Sequence, residues 1–383
     1  MSRNIRLLYL HNLLTDFRFQ APFAVIYFQQ ITSSYTAATF VLSLEVISCA
    51  LLDIPTGIFS DKIGRKYTLA IGSASCAASL AFYAFAQNLA TLICGACLLG
   101  LSLALFSGNN NALLFETLKA EGKEKQYHHV QGRASSMFQL GLGISALLAS
   151  FIAPHGLRIV FMLGIAPQVL ATIVSLFFVE PRKHIAIEEK SFAHLRVAFG
   201  QVVRNPRLRL LTVAQSMSYG IGEAVYTFNN AFINSLWPIW AVAIYRALTN
   251  GLGFIGFWFA GKLIDRIKVG AVLVLASTYG LVSGLIATLM ANVISPIVFL
   301  SGSLFFGPSM VAYDYILQQE FTDKQRATMA SVISFSSRFV SGLAALALGA
   351  IADHFGLVVA MVCGVIGSGI ALPVYLRLFR KHL

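Results

Sequence analysis

Twelve runs of apolar residues, each about as long as a hydrocarbon layer is deep, dominate this chain of 383 residues. They fall at about 6–28, 36–58, 67–86, 90–116, 134–153, 158–179, 208–231, 238–260, 269–290, 295–318, 327–352 and 357–376. A helix needs roughly 20 apolar residues to span the core of a bilayer. The runs are too long for barrel strands, which alternate over about 10 residues. Helices satisfy every backbone polar group within the segment, as lipid demands. Composition agrees: 57% of the residues are hydrophobic and 11% charged, against roughly 25% charged in a soluble domain. An ordinary soluble enzyme, a disordered chain and a collagen are excluded.

The net charge of +12 raises nucleic acid or a membrane surface as partners. Placement of the charges decides for the membrane. Apart from Arg18, Arg158, Arg246 and Arg338, the 28 Lys and Arg residues lie at the two termini, in the central connection or on alternate loops of one side. By the positive-inside rule both termini and the central loop are cytoplasmic, in an inner or plasma membrane. A nucleic-acid patch would need these charges on one face of a soluble domain. The first run carries Asp16 and Arg18 and no cleavage site, so it is not a signal peptide. All five cysteines lie within runs, which implies no disulfide framework. Cys94-x-x-Cys97 lacks a βαβ setting, and Gly251-Leu-Gly253-Phe-Ile-Gly256 lacks a preceding strand. Both read as small residues at helix contacts.

The organisation is three-part: an N-terminal six-helix bundle over 1–180, a cytoplasmic linker over 181–206 and a C-terminal six-helix bundle over 207–383. In the linker Phe192, Leu195, Phe199 and Val202 recur at helical spacing, as in an amphipathic surface helix. The halves echo each other. Gly57-Ile-Phe-Ser-Asp61-Lys-Ile-Gly64-Arg65-Lys66 closes the second run, and Gly261-Lys-Leu-Ile-Asp265-Arg266 the eighth. Glu116 and Asp314 stand at the ends of the fourth and tenth, and Arg133-Ala-Ser and Arg326-Ala-Thr open the fifth and eleventh. Duplicated bundles around a midplane site are a common build of secondary transporters.

On these residues the sequence resembles the major facilitator superfamily. Gly57 to Lys66 matches the family signature G-x-x-x-D-x-x-G-R-K at each fixed position. The resemblance implies an all-α membrane protein, twelve transmembrane helices in two pseudo-symmetric bundles. It also implies a charge relay of Asp61, Arg65 and Glu116, carried on the Gly57, Gly64 and Lys66 framework, that closes the cytoplasmic side. Asp265, Asp314 and Arg326 would form its second-half counterpart. The third, sixth, ninth and twelfth helices would be peripheral and lipid-facing. From the residues themselves, Asp61 can cap the third helix. The proline of the fifth-helix motif typical of drug–proton antiporters is missing from Gln139-Leu-Gly141-Leu-Gly143.

Six ionisable residues lie mid-membrane. Counted at about 1.5 Å per residue, Asp16, Arg18, Glu45, Glu223, Arg246 and Arg338 are roughly 15–22 Å deep. Such groups cost at least about 2.5 kcal/mol there and mark pathways by default. Asp16 and Arg18 project about 200° apart on a regular helix, so they would face different ways unless the helix is distorted near Pro22. Tyr27, Tyr219, Tyr226, Asn229, Asn230 and Tyr245 join the arginines as candidate substrate-binding residues, with helix packing the alternative for the aromatics. Asp16, Glu45 and Glu223 are the candidate proton carriers, unless each acid is simply locked to an arginine. The arginines suit a carboxylate or phosphate. The expected function is therefore a proton-coupled transporter of an anionic or zwitterionic organic solute, a metal chelate or siderophore included. A proton-driven multidrug efflux pump and a non-transporting receptor are the alternatives. No catalytic motif, cofactor fingerprint or metal-ligand cluster is present, so no enzyme, cofactor or metal is expected. The expected partners are the solute, protons and the bilayer, for a monomer.

Overall fold

Backbone N–H and C=O groups find no partners in hydrocarbon, so a chain this apolar satisfies them within helices. The computed structural model describes residues 3–107, 109–123, 127–180, 206–320 and 326–379, and these hold helices and turns and no strand. They run α1 (Arg3–Thr15), α2 (Ala24–Thr32), α3 (Tyr35–Ile63), α4 (Arg65–Ala84), α5 (Leu89–Phe106), α6 (Asn109–Ala120), α7 (Tyr127–Ile152) and α8 (Leu157–Ser175). After the central connection come α9 (Pro206–Asn234), α10 (Ile239–Ile267), α11 (Val269–Met290), α12 (Ser295–Gly302), α13 (Phe306–Glu320), α14 (Arg326–Phe355), α15 (Leu357–Ser368) and α16 (Ala371–Phe379). Packing groups the chain into two compact units. One holds residues 1–33 and 44–189, the other 34–43 and 190–383. The start of α3 thus belongs with the C-terminal half of the chain. The amphipathic segment expected around Phe192–Val202 lies outside the described residues.

Among the described residues, nine helical segments are long and apolar enough to cross a membrane. The other three expected runs coincide with α1–α2, α7 and α9. The first is broken, and α9 spends its length on residues such as Glu223, Asn229 and Asn230. Large apolar side chains stay exposed on these helices, Trp258 at 72% and Phe151 at 75% among them. Exposed surface of that kind belongs against lipid.

The first run is two helices. α1 stops at Thr15 and α2 starts at Ala24. Pro22 cannot donate to the Arg18 carbonyl, and its ring would strike that carbonyl in a helix. The Ala21 N–H bonds it instead at 3.1 Å, while the Arg18 N–H turns back to the Asp16 carbonyl at 2.9 Å. Broken backbone at membrane depth is tolerated where protein buries it or water lines it. Here Gln168 on α8 donates to the carbonyls of Leu14 and Thr15, at 3.3 and 3.2 Å.

Four joins between long helices are tight, and each has one residue at positive φ: Gly64, Gly156, Lys268 and Gly356. Gly64 sits at φ 95, ψ 158, Lys268 at φ 68, ψ 156 and Gly356 at φ 86, ψ 162. This region is essentially reserved for glycine. The second signature copy lost its glycine and kept the backbone.

The third helix, expected to be peripheral, keeps Tyr67, Ile71 and Phe82 exposed, yet α4 is the most buried of the nine apolar spans. Its small residues, Gly72, Ser73, Cys76, Ala77 and Ser79 among them, let α5 and α8 pack close on it.

Candidate functional site

The helix break in α1 delivers Asp16 and Arg18 to the same place. They form an ion pair at 3.1 Å, with Asp16 buried and the Arg18 side chain 35% exposed. The expected opposition of the two faces is thereby corrected: it assumes a regular helix, and the helix has ended. Arg18 also stands within electrostatic range of Glu45 on α3. Glu45 accepts a hydrogen bond from the Tyr83 hydroxyl of α4 at 2.5 Å. Gly100 on α5 has no room for a Cβ against the Glu45 carbonyl, 2.8 Å away, which fixes this stretch of α3 closely. One arginine thus serves two carboxylates in this unit.

Tyr27 has a structural task. It is buried, its ring lies 4.5 Å from that of Phe161, and its hydroxyl donates to the carbonyls of Tyr83 and Ala84 at the end of α4. Core packing accounts for it without a substrate.

The signature turn is built around Arg65, which is buried. Its Nη1 donates to Ser60 Oγ and Asn109 Oδ1, both at 2.9 Å. Its Nη2 lies 3.5 Å from Glu116. Two of the three residues named for the relay, Arg65 and Glu116, thus lie within ion-pair distance. The Asp61 side chain lies outside what is described. The cap of α4 comes from elsewhere: Glu180 accepts the N–H groups of Arg65 at 2.6 Å and Lys66 at 3.0 Å. A carboxylate suits the positive end of a helix. A Cβ on Gly64 would come within 2.8 Å of Glu180 Oε1, so the glycine makes room for the cap as well as for the turn. Lys66 lies over the Tyr67 ring at 5.6 Å. Gly57 faces open space.

In the second unit the candidates gather on α9, α10 and α14. Arg246 is buried; its Nη2 donates to the Tyr226 carbonyl at 2.8 Å and its guanidinium lies 3.3 Å from the centre of the Tyr226 ring. Its Nη1 is buried with no hydrogen-bond partner among the described residues. Asn229 donates to the Tyr245 hydroxyl at 2.9 Å. The side-chain oxygens of Asn229 and Asn230 are buried and likewise unmatched. Glu223 stands beside the Tyr219 hydroxyl and within electrostatic range of both Arg246 and Arg338. Arg338 itself is exposed. One carboxylate here faces two arginines, the reverse of the first unit. Of the second relay, Asp265 lies exposed near the end of α10, and the side chains of Asp314 and Arg326 are outside the described residues.

Tyr83, Gln168 and Glu180 are functional neighbours that sequence reasoning missed. Tyr83 and Gln168 sit in helices read as peripheral. Glu180 looks like the last residue before a linker, and only its nearness to the start of α4 in space gives it a role. Among the described residues no group of three or more His, Cys, Asp or Glu side chains is placed to hold a metal ion. The glycines at 251–256 do serve packing at one point: a Cβ on Gly256 would collide with the Leu304 carbonyl.

Residues 12–345 match the family model described as Major Facilitator Superfamily. An uncharacterized MFS-type transporter of Methanocaldococcus jannaschii is 31% identical over 132 residues. That match spans 33% of this chain and 31% of the relative. Among solved structures, the nucleoside transporter NupG superposes with a TM-score of 0.83 at 13% identity, covering 99% of this chain and all of that one. A bacterial homolog of the human lysosomal transporter Spinster, inward-facing and unoccupied, gives 0.74 at 16% identity, covering 99% and 96%.

Proposed function

The chain belongs to the major facilitator superfamily and is a transporter of small solutes, and from that premise we propose that it carries an anionic or zwitterionic organic solute by alternating access, driven by protons. A carboxylate- or phosphate-bearing metabolite and a metal chelate both fall in this class. The carrying observation is the unequal sharing of mid-span charge between the two units. The first unit's cluster holds two carboxylates and one arginine, Asp16, Glu45 and Arg18. The second unit's holds one carboxylate and two arginines, Glu223, Arg246 and Arg338. A surplus acid inside a membrane calls for a cation small enough to enter, and a proton is the smallest. A buried guanidinium nitrogen without a partner among the described residues, as at Arg246 Nη1, calls for an anion. Arg246 Nη1, buried and unmatched, is the group such an anion would meet, with the Asn229 and Asn230 oxygens ready for a donor on the same solute.

Under this reading Arg246, Arg338, Tyr226, Asn229 and Asn230 hold the solute, and Asp16 or Glu45 takes the proton while Arg18 neutralises the other. The membrane is the inner or plasma membrane and both termini are cytoplasmic. The test is transport in proteoliposomes under an imposed pH gradient, competed by panels of organic anions and organic cations. Organic anions should compete, and Arg246→Ala and Arg338→Ala should each weaken them about tenfold, the scale of one charge-assisted hydrogen bond. Asp16→Asn or Glu45→Gln should remove the gradient dependence. Competition by cations alone, with affinity unchanged in both arginine variants, would replace this reading with a drug efflux pump. Gradient dependence intact in both acid variants would remove these acids as proton carriers.

A further inference from the structure

The spacing of the signature, G-x-x-x-D-x-x-G, occurs once more where the second bundle's last-but-one span ends: Gly349-Ala-Ile-Ala-Asp353-His-Phe-Gly356 closes α14. Its surroundings are fully described. Asp353 accepts four hydrogen bonds from the first turn of α3. The backbone N–H groups of Tyr35 and Thr36 reach it at 2.7 and 2.9 Å, and the hydroxyls of Ser34 and Thr36 both at 2.7 Å. A helix start leaves its first N–H groups without internal partners. In α3 Ser34 takes the N–H of Ala37 at 3.1 Å, and the two before it depend on α14.

The rest of the motif makes the approach possible. At Gly349 a Cβ would come within 2.9 Å of Thr36 Cα and of the Tyr35 carbonyl. Two turns earlier on the same face, the Gly342 carbonyl accepts the Ser43 hydroxyl at 2.8 Å. Tyr35 packs its ring beside Phe228, 6.0 Å between centres, against the second unit's core. These contacts are what place residues 34–43 with the second unit while the remainder of the same unbroken helix belongs to the first. A rigid helix with its ends in two bodies must bend or let go at one end when the bodies move. Asp353 is exposed, so water can replace its partners as they part, unlike the buried set around Arg65.

We propose that Asp353 is a latch: it holds the first turn of α3 on α14 in this state and releases it when the transporter opens at the membrane face opposite its termini. The inference rests on the alternating-access part of the proposed function and not on the solute or the proton.

The test uses a full-length chain with Cys49, Cys76, Cys94, Cys97 and Cys363 replaced and Thr39→Cys added, in detergent. Thr39 is fully buried at the crossing with Gly349. Its reaction with a maleimide therefore reports release of the latch, with no substrate or gradient involved. Asp353→Ala should speed labelling about tenfold, as expected on losing a charged helix cap with its hydroxyl donors. Ser34→Ala with Thr36→Ala should act in the same direction and less. Labelling unchanged within twofold in both, in monodisperse protein, would make Asp353 a static cap and overturn the latch. Should Asp353→Ala not fold, the serine–threonine pair and Asp353→Asn decide. A failed anion or proton assay leaves these rates untouched, so the two readings fail separately.

Discussion

Lys268 occupies backbone space that Gly64 and Gly356 occupy freely. A side chain there costs about 1–3 kcal/mol, and the exposed Lys268 side chain makes no hydrogen bond or ion pair among the described residues that would offset it. Lys268→Gly should therefore stabilise the protein by about 1 kcal/mol after the loss of chain entropy that glycine brings. A rise in the thermal unfolding midpoint in detergent is the expected result, and a fall would show that the turn tolerates lysine. The signature shows what a motif tells at this scale. Arg65 and Glu116 could be expected together only through the family resemblance. Glu180 could not, since its partners are backbone N–H groups more than a hundred residues away, and no side-chain pattern marks a backbone donor.

At the scale of elements, the break between α1 and α2 does most to shape the first cluster. Pro22 made a distortion foreseeable, but a proline gives only a place where a helix can end. How far the unwound stretch runs depends on what satisfies its carbonyls, and that is Gln168 from α8. Gln168→Leu removes the side-chain donor from the Thr15 carbonyl and leaves the Leu14 carbonyl to the Phe17 N–H alone, at about 1–3 kcal/mol for the loss. The expected outcome is a lower unfolding midpoint together with faster amide exchange around residues 12–18. An unchanged exchange pattern there would mean that water already serves those carbonyls. The positions of the long helices were legible from apolar length alone, because lipid allows few solutions. The deep burial of α4 was not. Its small residues look like ordinary packing in any span, and what they pack against is set by distant chain.

For the molecule as a whole, the placement of lysine and arginine carries a prediction about sidedness. In a cysteine-free chain in intact cells, Gln87→Cys, next to the turn before α5, should react with a membrane-impermeant maleimide, and Lys123→Cys, after α6, should react only once the membrane is opened. The reverse pattern would invert the orientation proposed here. The repeated motifs led to an expectation of two bundles divided near residue 180, whereas the allegiance of residues 34–43 was not legible, because it follows from Asp353 and Gly349 rather than from anything within α3. The tight joins at Gly64, Gly156, Lys268 and Gly356 have a mechanical consequence. Each leaves a single residue of positive φ between long helices, with hydrogen bonds such as Thr68 N–H to the Gly64 carbonyl at 3.2 Å running through the corner. A corner without slack transmits tilt, so the two helices it joins turn as one crank, and the moving parts of this transporter are fewer than its helices.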